Sequence, residues 1–141
     1  MQFVCDAGAR KAWFRLETET EAAQESEIMR HAVEKHFRRS YERASEAYRP
    51  PQGPFVEQDI GRAAHIRRSM PVFLTLREED GTALATAMLP PAGNGDPTVT
   101  PIVVGPGNSD PYPENREAIE ALGRHFRLGL ERARCYPYHR G

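Results

Sequence analysis

The chain has 141 residues, 39% of them hydrophobic and 28% charged, with a formal net charge of -1. This is the composition of one soluble globular domain over residues 1–141, too near neutrality to draw nucleic acid or an anionic membrane by its overall field. No run approaches the roughly 20 apolar residues of a membrane helix, and Met1 to Asp6 lacks the basic and long apolar regions of a signal peptide, so a cytoplasmic location is expected. Lys11 and Lys35 are the only lysines among many arginines, which reads as a bacterial-type composition bias.

Residues 2–18 read as a β-hairpin. Phe3 and Cys5 alternate with Gln2 and Val4, residues 6–10 supply turn chemistry around Gly8, and Ala12, Phe14 and Leu16 alternate with Trp13, Arg15 and Glu17. That pattern buries the face of Ala12, Phe14 and Leu16 and turns Trp13 the other way. Residues 18–48 are the longest periodic segment, with Met29, Val33, Phe37, Tyr41, Ala44 and Tyr48 at helical spacing. Phe37 is central in this stripe and is expected to be buried against the sheet. Thr18 and Glu21 form a capping box at the start, and Pro50 and Pro51 mark the end. A continuous helix here would be about 45 Å long, against about 37 Å for the diameter of a domain this size. It is therefore expected to break, near Ser40, or to project from the body.

Residues 50–69 form a proline-rich connector in which Phe55 and Val56 anchor the chain. Within it, residues 57–68 read as a short helix with Ile60 and Ala64 inward and Arg62, His65, Arg67 and Arg68 outward. Residues 71–89 are the clearest hairpin: Val72, Leu74 and Leu76 alternate with Phe73, Thr75 and Arg77, Asp80 and Gly81 turn the chain, and Ala83, Ala85 and Ala87 alternate with Leu84, Thr86 and Met88. The alanine strip is expected to receive the long helix. Residues 99–105 read as a fifth strand, at an edge because of Pro101. A second helix follows over 114–132 with the stripe Ala118, Ile119, Leu122, Phe126 and Leu130; Gly123 and Gly129 weaken it, so it is expected to end near Arg127, and an aromatic tail lies on the body.

The expected architecture is α+β: a two-layer sandwich in which a mainly antiparallel sheet of about five strands carries the long helix and the C-terminal helix on one face. No motif ties the chain to a known family. His31 and His36 lie five apart on different helix faces, and Cys-x-x-Cys and His-Glu-x-x-His are missing, so no metal and no cofactor is implied. Cys5 and Cys135 read as buried thiols, able to pair only if the termini meet.

Three functional classes are consistent with these features. The first is a binding or assembly module that self-associates as a homodimer, since Trp13 and Phe73 would share a sheet face that the helices leave uncovered. The second is a protein or enzyme acting on a small molecule or anion of unknown identity at the strand-to-helix corner over 105–112. Gly105, Gly107, Asn108, Asp110 and Tyr112 would form that pocket, with His125 as acid or base. The third is a nucleic-acid accessory domain using Arg62, His65, Arg67 and Arg68; without stacking aromatics interleaved there, nucleic acid is not an expected partner. A membrane is not an expected partner either.

Overall fold

A computed structural model of the chain describes residues 1–50, 61–91 and 100–138. The elements are β1 (Gln2–Gly8), β2 (Lys11–Arg15), α1 (Glu19–Met29), α2 (Val33–Ala47), α3 (Gly61–Ser69), β3 (Val72–Glu78), β4 (Ala83–Leu89), β5 (Ile102–Val104) and α4 (Tyr112–Phe126). The five strands form one antiparallel sheet in the order β1-β2-β3-β4-β5. The α+β class and the antiparallel sheet are as the alternation implied. Phe55, Val56 and Ile60 lie outside the described residues, as does the start of the predicted fifth strand. Among the described residues no helix is long and apolar enough to cross a membrane.

The helices do not share one face of the sheet; they divide between its two faces. Trp13 pairs across the ladder with Leu76, and Leu74 with Ala87, so these side chains point one way and form a core with Ile119 and Leu122 of α4. Phe14 pairs with Thr75, Phe73 with Met88, and these point the other way, toward α1, α2 and α3. Phe37 is buried as expected, its ring centroid 5.2 Å from that of Phe73. The burial assigned to the first hairpin is corrected: Trp13 is wholly buried and donates its indole N–H to the Ala118 carbonyl at 2.8 Å, while Phe14 is half-buried. The alanine strip is corrected too. Ala85 and Ala87 belong to the core cluster that holds Ile119 and Leu122 of α4, and the long helical segment packs on the opposite side, α1 against β4.

The surface on which self-association rested is therefore covered. Trp13 is 0% exposed and Phe73 1%, and they lie on opposite faces beneath different helices. A period of two shows that they alternate with their neighbours; it does not show that residues on two different strands share a face.

The helical segment over 18–48 breaks, ten residues earlier than expected. Arg30 takes the left-handed conformation at φ 56° and ends α1, its amide returning to the Ser26 carbonyl. Ser26 also accepts from the Glu34 amide through its hydroxyl at 2.9 Å, so one residue of α1 holds the end of one helix and the start of the next. The capping at Thr18 is present: its hydroxyl accepts from the Glu21 amide at 3.1 Å, while Glu21 reaches back to the Glu17 amide at 2.8 Å. In α3 it is Ile66 that is buried, and Ala64 is exposed.

Helix α4 closes at Arg127, as anticipated, and Gly123 has a positive role in that closure. A Cβ on Gly123 would stand 2.8 Å from the Leu128 carbonyl oxygen, so only glycine lets the chain fold back and seat Leu130 in the core. The tail then lies on the body, with Cys135 buried and the Tyr136 amide donating to the Pro101 carbonyl at 2.9 Å beside β5. Cys5 and Cys135 are free thiols, and burial pushes the pKa of each upward.

Candidate functional site

The sheet face beneath α1 carries polar groups in an otherwise apolar interior. Thr75 on β3 and Thr86 on β4 are register partners and both are buried. Helix α1 sets Glu25 on top of them with no exposed surface. A buried carboxylate is stable only if its oxygens are bonded, and both are: Arg77 donates Nη2–H to Oε1 at 2.7 Å, and the Thr86 hydroxyl donates to Oε2 at 2.5 Å. Arg77 is itself steadied by Nε–H to Thr75 Oγ1 at 2.9 Å and Nη1–H to the Gly81 carbonyl at 3.3 Å. Among the described residues no buried side-chain polar atom lacks a partner.

The chain of hydrogen bonds ends on His31, in the break between α1 and α2. His31 Nε2 lies 2.8 Å from Thr86 Oγ1, whose proton is committed to Glu25. Nε2 is thus the protonated nitrogen, and Nδ1, which accepts from the Val33 amide at 3.4 Å, carries the lone pair. Burial pushes the His31 pKa below its ordinary value, with nearby Glu25 pulling it part of the way back. The imidazole is therefore neutral near pH 7 and held in one tautomer.

His31 faces a cavity of about 330 Å³ between the start of α2, strands β4 and β5, and the tail. Val33, Phe73, Met88, Ile102 and Val104 supply its apolar wall. Thr86, His36, Asn108 and Tyr136 supply polar atoms beside His31, and no Asp, Glu, Lys or Arg lines it among the described residues. An apolar cleft with a few converging polar groups is the usual form of a small-molecule site, and this volume falls at the lower end of the range of about 300–1,000 Å³.

Of the residues predicted for the strand-to-helix corner, Asn108 alone lines this cavity. Gly105 and Gly107 shape the turn at Pro106–Asn108, where the Gly105 amide donates to the Ser109 carbonyl at 2.7 Å and Gly107 adopts φ 63°. Asp110 is occupied structurally, accepting from the Tyr112 amide at 3.0 Å and pairing with Arg132 at 2.9 Å. Tyr112 is buried, gives its hydroxyl proton to the Leu130 carbonyl at 2.7 Å, and has its pKa raised by burial. His125 is exposed near the far end of α4, against Phe126, about 20 Å along the helix from Tyr112. These side chains do not converge.

The basic cluster is similarly dispersed. Arg62 donates to Ser45 Oγ at 2.5 Å, and Arg67 pairs with Glu17 at 2.8 Å and with Gln2 Oε1 at 2.6 Å. His65 is half-buried against Tyr48, their ring centroids 5.1 Å apart, while Arg68 is exposed. Among the described residues no group of three or more His, Cys, Asp or Glu is placed to hold a metal ion.

Sequence reasoning missed Glu25, Thr86, Arg77 and His31, although a signal was present. Continuing the helical stripe backward from Met29 gives Glu25 and Ala22, an acid at a core position. An acid there requires a buried partner, and Arg77 with the inward threonines of the second hairpin supplies it. No family model matches the chain, and no curated protein or solved structure is significantly similar to it.

Proposed function

We propose that this domain is a small-molecule-binding module whose ligand occupies the cavity beside His31. The observation that carries the reading is the joining of a fully satisfied buried network, Arg77–Glu25–Thr86–His31, to an apolar cleft. An ion pair removed from water is at best weak support for stability, and an apolar pair of equal volume would often serve as well. What this one does is fix a single imidazole nitrogen as donor to the interior and hold the ring at the cavity wall. The strand-to-helix corner contributes through Asn108, so the reading keeps the small-molecule class expected for that corner but moves its centre to the helix break.

The test is methyl-resolved NMR of the intact chain titrated with a fragment library of small apolar and amphipathic molecules. Shifts are expected at the methyl groups of Val33, Met88, Ile102 and Val104. They should vanish in Ala32→Trp, which places a large ring beside the cleft at an exposed position outside the helices. A library at millimolar concentration that moves none of these methyls, or moves them equally in the variant, would remove the proposal.

A further inference from the structure

We infer that the ligand is an amphipathic monoanion, a carboxylate on an apolar body. This inference rests on the cavity being a binding site. The lining gives two constraints. Val33, Phe73, Met88, Ile102 and Val104 require that most of the ligand be apolar, since polar groups set against them would lose water without gaining a partner. The polar groups of the lining are two imidazoles, His31 and His36, the Thr86 hydroxyl, the carboxamide of Asn108 and Tyr136.

No acidic side chain faces a ligand there among the described residues. The buried Glu25 carboxylate lies behind Thr86 and is neutralised by Arg77. Among the described residues lysine and arginine are missing from the same lining, which disfavours a phosphate dianion, whose usual partners are guanidinium forks and ammonium groups. An imidazole suits a single weak anion: His31, neutral in the empty cavity, would take its second proton at Nδ1 when a carboxylate arrives, giving up the 3.4 Å bond from the Val33 amide.

Among the described residues the charged and titratable groups near His31 are Glu25 from α1, with Arg77 of β3 behind it, and His36 from α2; β4 presents Thr86, β5 presents Ile102 and Val104, and Asn108 and Tyr136 are further polar contributors. An added carboxylate raises the proton affinity of the His31 imidazole. Binding should therefore take up a proton from solvent and tighten as pH falls, down to the range where the ligand's own carboxyl becomes protonated.

The experiment is isothermal titration calorimetry of the full chain with octanoate, octanol and octylamine, in two buffers of different ionisation enthalpy. Octanoate is expected to bind at least about tenfold more tightly than either of the others, as a charge-assisted hydrogen bond distinguishes them. Its apparent enthalpy should differ between buffers by an amount that reports proton uptake. His36→Gln, a change at an exposed position, should lower the affinity for octanoate more than that for octanol. Equal affinities, a preference for octylamine, no octanoate binding, or octanoate binding without proton uptake would each overturn the monoanion assignment. The cavity itself would stand or fall separately, on whether any fragment shifts the lining methyls in a manner sensitive to Ala32→Trp.

Discussion

The two faces of the sheet solve the same burial problem in opposite ways. Beneath α4 the interface is built from Trp13, Leu74, Leu76, Ala85, Ala87, Ile119 and Leu122, and the polar atoms named in it, the Trp13 indole N–H and the Tyr112 hydroxyl, are both satisfied by backbone carbonyls. Beneath α1 and α2 an apolar cluster around Phe37 and Phe73 lies beside an arginine, a glutamate, two threonines and a histidine, with a cleft alongside. On the α4 face the Lys11 ammonium sits at the margin, donating to Asn115 at 3.2 Å, while on the α1 face the Glu25 carboxylate is wholly buried. The difference is that the polar residues of the second face hold His31 by both ring nitrogens at the wall of a cavity.

The largest expected effect comes from breaking the second face at its charge. Glu25→Ala leaves the Arg77 guanidinium without its partner and should cost about 3–5 kcal/mol by chemical denaturation. Leu122→Ala on the first face should cost a similar amount, about 2–5 kcal/mol, through an empty volume. The two losses differ in how they are repaired. Glu25→Leu combined with Arg77→Met should recover most of the stability, because neither charge is then buried. A double variant as unstable as Glu25→Ala would show that the pair contributes more than its own satisfaction.

A smaller effect sharpens the comparison. Thr86→Val keeps the shape of the side chain and deletes the hydroxyl, leaving Glu25 Oε2 and His31 Nε2–H without their shared partner. The expected cost is about 1–3 kcal/mol, with a visible change in the His31 ring shifts by NMR. Retention of the wild-type His31 shifts would mean that Thr86 does not set the tautomer.

The smallest effect is one of pH. His31 titrates in the folded chain below its ordinary 6.5 because burial disfavours the imidazolium. Between the folded value and 6.5 the unfolded chain holds more protons, so stability rises with pH across that window. The contribution is complete above 6.5 and declines as pH falls toward the folded value. Melting temperatures from about pH 8 to about pH 5 should therefore drop less steeply in His31→Gln than in the parent chain. Parallel profiles would assign the acid sensitivity to other groups.

How far the fold was legible follows from the same contrast. Periodicity located the strands, the α4 stripe and the burial of Phe37, because each depends on neighbours in the chain. It misplaced Trp13, because which helix covers a given face is decided by residues a hundred positions away, here Ala118 and Ile119. The helix break at Arg30 carries no glycine or proline to announce it; Ser26, bonding both helix ends, makes the turn possible. The candidate site was hidden for a related reason. Its members, Glu25, His31, Arg77 and Thr86, have no motif spacing, and they become a unit only when α1 is laid across β3 and β4.

The short bridge between the tail and β5 bears on how the sheet ends. An outer strand offers unpaired amides and carbonyls to any passing chain, and edge-to-edge growth is the hazard. At β5 the Tyr136 amide already occupies the Pro101 carbonyl, and Pro101 itself has no amide to offer. At the opposite margin, β1 runs out of register with β2 at two places, between Phe3 and Cys5 and again between Asp6 and Gly8, so it presents an uneven outer rim. A strand from another molecule would have to lift the tail off one margin or follow an irregular ladder at the other. Residues 135–138 thus cover part of the β5 margin, and clipping the chain before Cys135 should be felt first as a loss of solubility.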